Sequence, residues 1–218
     1  MRRNYFFCAA LLLLITGLAL GDDQKKAEKE LHKVTAMATD PTGRRVVSIT
    51  VADTLEAKRR DLVMERRSMN INYGDLFIAS ALVKNGVKLD DISAQLKAGK
   101  KMAEIANSQH IDWKQLAADA KKLNAKVEDN LYKHFINSSA DTARDVAEGY
   151  DPTIDGVTAD NDVSKDDIDE AQRTYLLWKG RADKTKDSKL DAATEKSAQG
   201  ARGDPVRAKA GSLAPPKY

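Results

Sequence analysis

Cysteine is almost absent from this sequence, and so are the residue patterns that carry most enzyme chemistry. The single cysteine, Cys8, lies in an apolar run near the amino end. The sequence contains no glycine-rich phosphate loop and no serine or cysteine nucleophile elbow. His32, His110 and His134 lack the H-x-x-x-H spacing that binds zinc from one helix face. The sequence therefore predicts no enzyme, no cofactor and no disulfide, and an apolar core must supply the stability.

The first 21 residues have the three parts of a secretory signal peptide. Arg2 and Arg3 precede an uncharged apolar run at 5–20, and Ala19-Leu20-Gly21 supplies the small residues of a cleavage site. The run is shorter than the roughly 20 apolar residues that a spanning helix needs, which favours cleavage over anchoring. We therefore expect a secreted or periplasmic protein, with no membrane anchor after cleavage and no nucleic acid as a partner.

The remaining charges are nearly balanced but unevenly distributed. Without the two leader arginines, the lysines and arginines almost equal the 33 acidic residues, so no overall field favours nucleic acid or anionic membrane. Residues 139–170 contain eleven acidic and two basic residues, whereas 179–218 contain ten basic and five acidic ones. The two segments could attract each other, but the sequence favours two solvated segments.

Residues 22–52 are predicted to form an amphipathic arm. Ala27, Leu31 and Val34 are spaced for one helix face, and the turn signal "TDPTG" follows. The β-branched run 46–51 is compatible with either a short strand or the start of another helix.

Residues 53–136 are predicted to form the bundle core, starting with a helix that Asp53 and Glu56 open as a capping box. Tyr73-Gly74 is expected to interrupt this helix. The arginines along it are expected to form a solvated face that neighbouring acids neutralise: Arg59, Arg60, Arg66 and Arg67. Apolar residues recur at seven-residue steps, a pattern typical of a coiled-coil seam: Leu55, Leu62, Met69 and Leu76.

The second half of the core has the clearest helix signals. Gly86 and Gly99 are placed to end two short helices, and Asp112 with Gln115 forms a cap before a longer one. The longer helix repeats apolar residues at steps of three and four, as a 3.6-residue period requires: Leu116, Ala120, Leu123, Val127, Leu131 and Phe135.

Residues 137–182 are predicted to be an acidic loop followed by a docking helix. Ser164 and Asp167 are spaced as a capping box, with Val163 and Ile168 as its hydrophobic staple. One face of the helix is apolar and is expected to pack on the bundle: Ile168, Ala171, Tyr175, Trp178 and Ala182.

Residues 183–218 contain too few apolar residues to offset the entropy of ordering and are predicted to be a flexible basic tail. Leu190 supports at most a weak helix. Arg202-Gly203-Asp204 spells the integrin-binding tripeptide, and Asn137-Ser138-Ser139 is a glycosylation sequon. Matches of three residues arise readily by chance.

The stretch 100–123, "KKMAEIANSQHIDWKQLAADAKKL", has the pattern of a helix-turn-helix. Ala106 and Ile111 occupy the small and apolar positions, but His110 stands where glycine is usual. The second helix would present one acid and few basic side chains, a poor match for phosphate. We expect this hairpin to serve only the packing of the two helices, with DNA binding as a remote alternative.

Residues 73–136 also resemble exported bacterial α-helical proteins of unknown function, which carry a core of the type G(K/D)…L-D-x-I…GKGWGEIA behind a signal peptide. This chain departs from the pattern at 101–103, where the resemblance requires glycine and tryptophan. The resemblance implies an all-helical exported protein without a particular activity. The matching residues are Gly86, Leu89, Asp90, Ile92, Gly99, Lys100, Glu104, Ile105 and Ala106.

The stretch 151–162, "DPTIDGVTADND", is spaced like the calcium loop of an EF-hand. Oxygen ligands and a turn glycine suit a hard cation, whereas Pro152 and Thr158 depart from the pattern. A solvated acidic loop is the other interpretation. The candidate ligands are Asp151, Thr153, Asp155 and Asp162, around Gly156.

Together these patterns predict an all-α protein: a small irregular helical bundle with a flanking helix-loop-helix and a disordered C-terminal tail. Its expected function is that of an exported, monomeric binding protein, with an unknown envelope or extracellular protein as partner. A calcium-responsive helix-loop-helix module is the alternative.

Overall fold

The computed structural model describes the backbone of residues 5–156 and 163–202 and the side chains of residues 21–156 and 163–196. These residues form helices and no strand, which confirms the predicted all-α bundle. None of the helices described is both long and apolar enough to cross a membrane. The helices are α1 (Tyr5–Met37), α2 (Pro41–Leu55), α3 (Arg59–Met69), α4 (Tyr73–Lys84), α5 (Leu89–Lys97), α6 (Met102–Ser108), α7 (Trp113–Ile136), α8 (Ser138–Glu148), α9 (Pro152–Asp155) and α10 (Lys165–Arg202).

The centre of the bundle is the packing of α1 on α7, with α10 against both. Ala27, Leu31 and Val34 of α1 are at most 2% exposed and share one apolar core with α7. Residues 22–52 are therefore part of the bundle and not an arm beside it. α1 runs without a break through the predicted cleavage position, and cleavage there would leave 22–37 as the first helix.

The turn before α2 is capped as its sequence indicates. The Asp40 carboxylate accepts hydrogen bonds from the backbone N–H groups of Thr42 and Gly43, and Pro41 occupies the first turn, where its missing N–H is not needed. The β-branched run 46–51 continues this helix and is buried throughout. Tertiary burial thus outweighs the strand preference of these residues.

The prediction that Asp53 begins a helix is wrong. Asp53 lies in the last turn of α2, and the chain turns at Glu56, whose φ is +56°. The Asp53 carboxylate instead forms an ion pair with Arg144 at 2.6 Å. Because a second turn follows at Asn70, with φ +53°, the heptad seam is divided among three helices and forms no coiled coil in this part of the chain.

The helices from residue 73 to residue 136 agree with the prediction. Gly86 and Gly99 take positive φ values of +92° and +85° just after α4 and α5. The Asp112 carboxylate accepts a hydrogen bond from the backbone N–H of Gln115 at 3.0 Å. The predicted apolar face of α7 is buried as far as Leu131.

The docking helix α10 is also confirmed, but it is longer than predicted. Its capping serine, Ser164, accepts a hydrogen bond from the backbone N–H of Asp167 at 3.1 Å. The Tyr175 ring meets the Phe135 ring edge-on, with centroids 4.9 Å apart. A helix anchored in this way propagates easily through good helix formers, so it continues to Arg202, where the sequence predicted a flexible tail from residue 183. Residues 203–218 lie outside the described part.

Candidate functional site

Asp155, a predicted calcium ligand, is completely buried. Its Oδ1 accepts hydrogen bonds from Arg66 Nη2 and from the Tyr73 hydroxyl, both at 2.7 Å. Its Oδ2 accepts one from the Tyr150 hydroxyl at 2.6 Å. Arg66 also donates to the Asp155 backbone carbonyl. A calcium ion at this carboxylate would therefore have to displace three protein donors.

The other predicted calcium ligands do not join Asp155. Asp151 caps the short helix α9 and accepts hydrogen bonds from the backbone N–H and the hydroxyl of Thr153 at 2.8 and 2.7 Å. Both residues are exposed, whereas Asp155 faces the interior, and Asp162 lies outside the described residues. Among the residues described, no three His, Cys, Asp or Glu side chains are placed to hold a metal ion. The structure therefore does not bring Asp151 and Thr153 together with Asp155, because the cap uses the oxygens of the first two and the buried ion pair uses those of Asp155. The calcium interpretation of the whole loop stays a prediction.

A second buried arginine extends the same polar cluster. Arg59 donates hydrogen bonds to Asp145 and, at 2.9 Å, to the Ser48 hydroxyl. Its guanidinium carbon lies 3.3 Å from the centroid of the Tyr150 ring, and Arg45 approaches Asp145 at 2.7 Å. Tyr150 thus links the Arg59–Asp145 pair to the Arg66–Asp155 pair. We call these two pairs with Tyr73 and Tyr150 the arginine clamp.

The arginine clamp corrects the expectation of solvated charges. Arg60 and Arg67 are exposed as predicted, but Arg59 and Arg66 are at most 2% exposed. Their seven-residue spacing places both on one face of α3, and that spacing was the one local signal for a shared role. Their partners, Asp145 and Asp155, belong to the acidic segment 139–170. Helical periodicity relates only residues of the same helix, so it could not predict these pairs.

The electrostatics of the arginine clamp keep its tyrosines neutral. Burial, followed by the nearby Asp155 carboxylate, raises the pKa of Tyr73 and of Tyr150 above the ordinary tyrosine value. Both hydroxyls therefore remain hydrogen-bond donors. The donors and acceptors of the Arg66–Asp155 pair and the two tyrosines thus face one another inside the fold.

The helix-turn-helix stretch folds as a hairpin of α6 and α7. His110 has a φ of +52°, so it takes the left-handed conformation that glycine usually supplies at this turn. Ile111 and Trp113 are buried, and the Trp113 indole donates a hydrogen bond to Asn107 Oδ1 at 2.7 Å. Trp113 is therefore part of the packing and is not presented for contact with a partner.

The exposed apolar residues of the described chain concentrate on α10. Leu176, Leu177 and Leu190 are 65%, 52% and 68% exposed. The other large apolar side chains with comparable exposure are distributed over three different helices: Met64, Val83 and Val146. We call Leu176 and Leu177 the α10 surface, since Leu190 lies about 20 Å further along the helix. Adjacent exposed leucines are typical of a binding surface, since water contact with apolar area is unfavourable.

A groove of about 480 Å³ opens beside the α10 surface. It lies between α10 and the α1–α2 turn, and Leu176 forms one of its walls. The other apolar walls are Ala36, Met37, Pro41, Ala171 and Tyr175. From residue 186 to residue 196, α10 extends past the groove with every side chain exposed.

No protein-family model, curated protein or solved structure matches this chain significantly.

Proposed function

We propose that this chain is exported by its first 21 residues and acts as a monomeric binding protein for another envelope or extracellular protein. The α10 surface is the contact site. The observation that carries this proposal is the exposure of Leu176 and Leu177, neighbours on a helix whose opposite face is docked. Burying one leucine on a partner is worth about 1.5–3 kcal/mol.

The surroundings of the leucine pair indicate the chemistry of the partner. Arg173, Lys179 and Arg181 are exposed on the same turns of α10. An apolar centre with a basic rim complements an apolar anchor bordered by acidic side chains. The groove beside Leu176 would accept a side chain of that anchor. Such a partner would bind less tightly as salt concentration rises.

A pull-down with paired variants tests the binding site. The exported protein is immobilised as wild type, as L176E/L177E and as M64E/V83E, and envelope extract is passed over each. Met64 and Val83 are also exposed, at 49% and 43%, so the control adds the same charge to other helices. We expect one retained protein on wild type and control, with retention at least about tenfold lower on L176E/L177E. Equal retention by both variants would contradict the α10 site.

Export is tested separately by the mass of the mature chain. When the full sequence is expressed with its own leader, we expect an amino terminus at Asp22 outside the cytoplasm. An intact chain beginning at Met1 in the cytoplasmic fraction would contradict export, whatever the pull-down shows.

A further inference from the structure

A second concave region, unrelated to α10, is an open cleft of about 670 Å³. It lies between α1, the α3–α4 connection and the α5–α6 connection, and none of its lining residues belongs to α10. Its floor is apolar: Leu31, Ile71, Ile78 and Met102 are each at most 4% exposed. The volume is within the range of small-molecule sites.

One wall of the cleft is basic. Lys97, Lys100 and Lys101 are exposed around the turn at Gly99, whose positive φ reverses the chain there. Lys100 donates to Gln95 Oε1 at 3.0 Å. Within the described residues, none of the three ammonium groups has a carboxylate at ion-pair distance.

The carboxylates of the facing wall are already engaged. Glu28 accepts a hydrogen bond from the Gln24 side-chain amide at 2.8 Å, and Asp75 accepts one from the Asn72 amide at 3.1 Å. A hydrogen bond from a neutral amide leaves a carboxylate charged, so the cleft carries three lysine ammonium groups against two carboxylates above an apolar floor and keeps an excess of positive charge. The complement of this arrangement is an anion with an apolar body.

We propose that the cleft binds a small amphiphilic anion, with its chain on the apolar floor and its carboxylate or phosphate head at the lysine wall. The three ammonium groups would form ion pairs with the anionic head group. Each of these contacts is partly exposed and would add a modest increment of affinity. Most of the affinity would come from taking the ligand's own apolar chain out of water, since the floor itself is already nearly buried, and the lysines would select for negative charge.

Amide NMR titrations of the protein with octanoate and octyl phosphate, each below its micelle concentration, test this site. Octylamine, a cation with the same chain length, serves as the control. We expect saturable shifts confined to residues 28–32, 69–78 and 96–103 for at least one anion, and none for octylamine. Binding by only one of the two anions identifies the head group. Equal shifts with octylamine, or no saturable shift with either anion, would overturn the proposal.

A lysine variant tests the selectivity. K97Q/K100Q/K101Q removes the basic wall, and K114Q/K121Q/K126Q removes the same number of exposed charges from α7. We expect about tenfold weaker anion binding for the first variant and unchanged binding for the second. Equal weakening by the two variants would mean that net charge alone attracts the anion, and the cleft site would be wrong.

Discussion

Arg66 of α3 and Asp155 of α9, 89 residues apart in sequence, form an ion pair of 2.7 Å between side chains that are at most 1% exposed. With Arg59 and Asp145, this pair fastens the acidic segment to α3. A buried charge that loses its partner is strongly destabilising, typically by about 3–5 kcal/mol.

The first prediction concerns this pair. Asp155→Asn removes the buried carboxylate that accepts hydrogen bonds from Arg66, Tyr73 and Tyr150, so we expect the free energy of unfolding in urea to fall by about 3–5 kcal/mol. The matched control is Asp53→Asn, which removes a half-exposed carboxylate from Arg144 and should cost less than about 1 kcal/mol. Equal losses for the two variants would show that Asp155 is not buried as described.

The tyrosines of the arginine clamp predict a loss of stability at alkaline pH. Burial and Asp155 raise the pKa of Tyr73 and Tyr150 in the folded state, while in the unfolded chain both ionise near pH 10. The folded state holds these protons more tightly, so its advantage is complete below pH 10 and declines as pH rises above it. Tyrosinate absorbance and unfolding free energy, measured over the same pH series, should show late ionisation together with declining stability. Y73F/Y150F should flatten the decline, and an unchanged decline would contradict the cause.

Two glycines in helices are predicted to respond oppositely to alanine. A Cβ at Gly74 would lie 2.9 Å from Thr35 Oγ1 and 3.0 Å from the Leu31 carbonyl oxygen, so Gly74→Ala should push α4 away from α1 and cost about 1–3 kcal/mol. A Cβ at Gly180 meets nothing within 4 Å, and Gly180→Ala should stabilise α10 by up to about 1 kcal/mol. Thermal unfolding of both variants checks the signs. Destabilisation by both would contradict the open surroundings of Gly180.

The extension of α10 is predicted to be helical but energetically separate from the bundle. Leu190→Pro should lower the helical circular dichroism signal and leave the thermal midpoint unchanged, because side chains 186–196 are exposed. Tyr175→Pro, in the docked half, should lower both. An unchanged helical signal for Leu190→Pro would favour the flexible tail that the sequence predicts.

The parts of the fold that sequence predicts well are those where several local signals agree. In α7 the cap at Asp112 and the apolar period point to the same helix, and both are found. Asp53 and Glu56 have the spacing of a cap, but Val51 and the residues before it are buried, and this burial continues α2 past Asp53 to Leu55. Local pattern could not show this, because the burial depends on other helices.

The candidate sites show the same limit: the sequence contains their local patterns, but it does not show which side chains are buried. Leu176 and Leu177 are apolar neighbours in a helix, but only packing shows that Tyr175 and Trp178 turn inward and leave them exposed. The calcium spacing of Asp151 and Asp155 was a true local pattern. That pattern could not show that Asp155 faces the interior, because its partner Arg66 is distant in sequence.

Photo-crosslinking in the source cell tests the α10 contact most directly. A photoreactive amino acid is placed at position 176 or 177, and at 64 or 83 as exposed controls on other helices. We expect one discrete protein adduct from positions 176 and 177 and none from 64 and 83. The same adducts from all four positions, or none from α10, would contradict it.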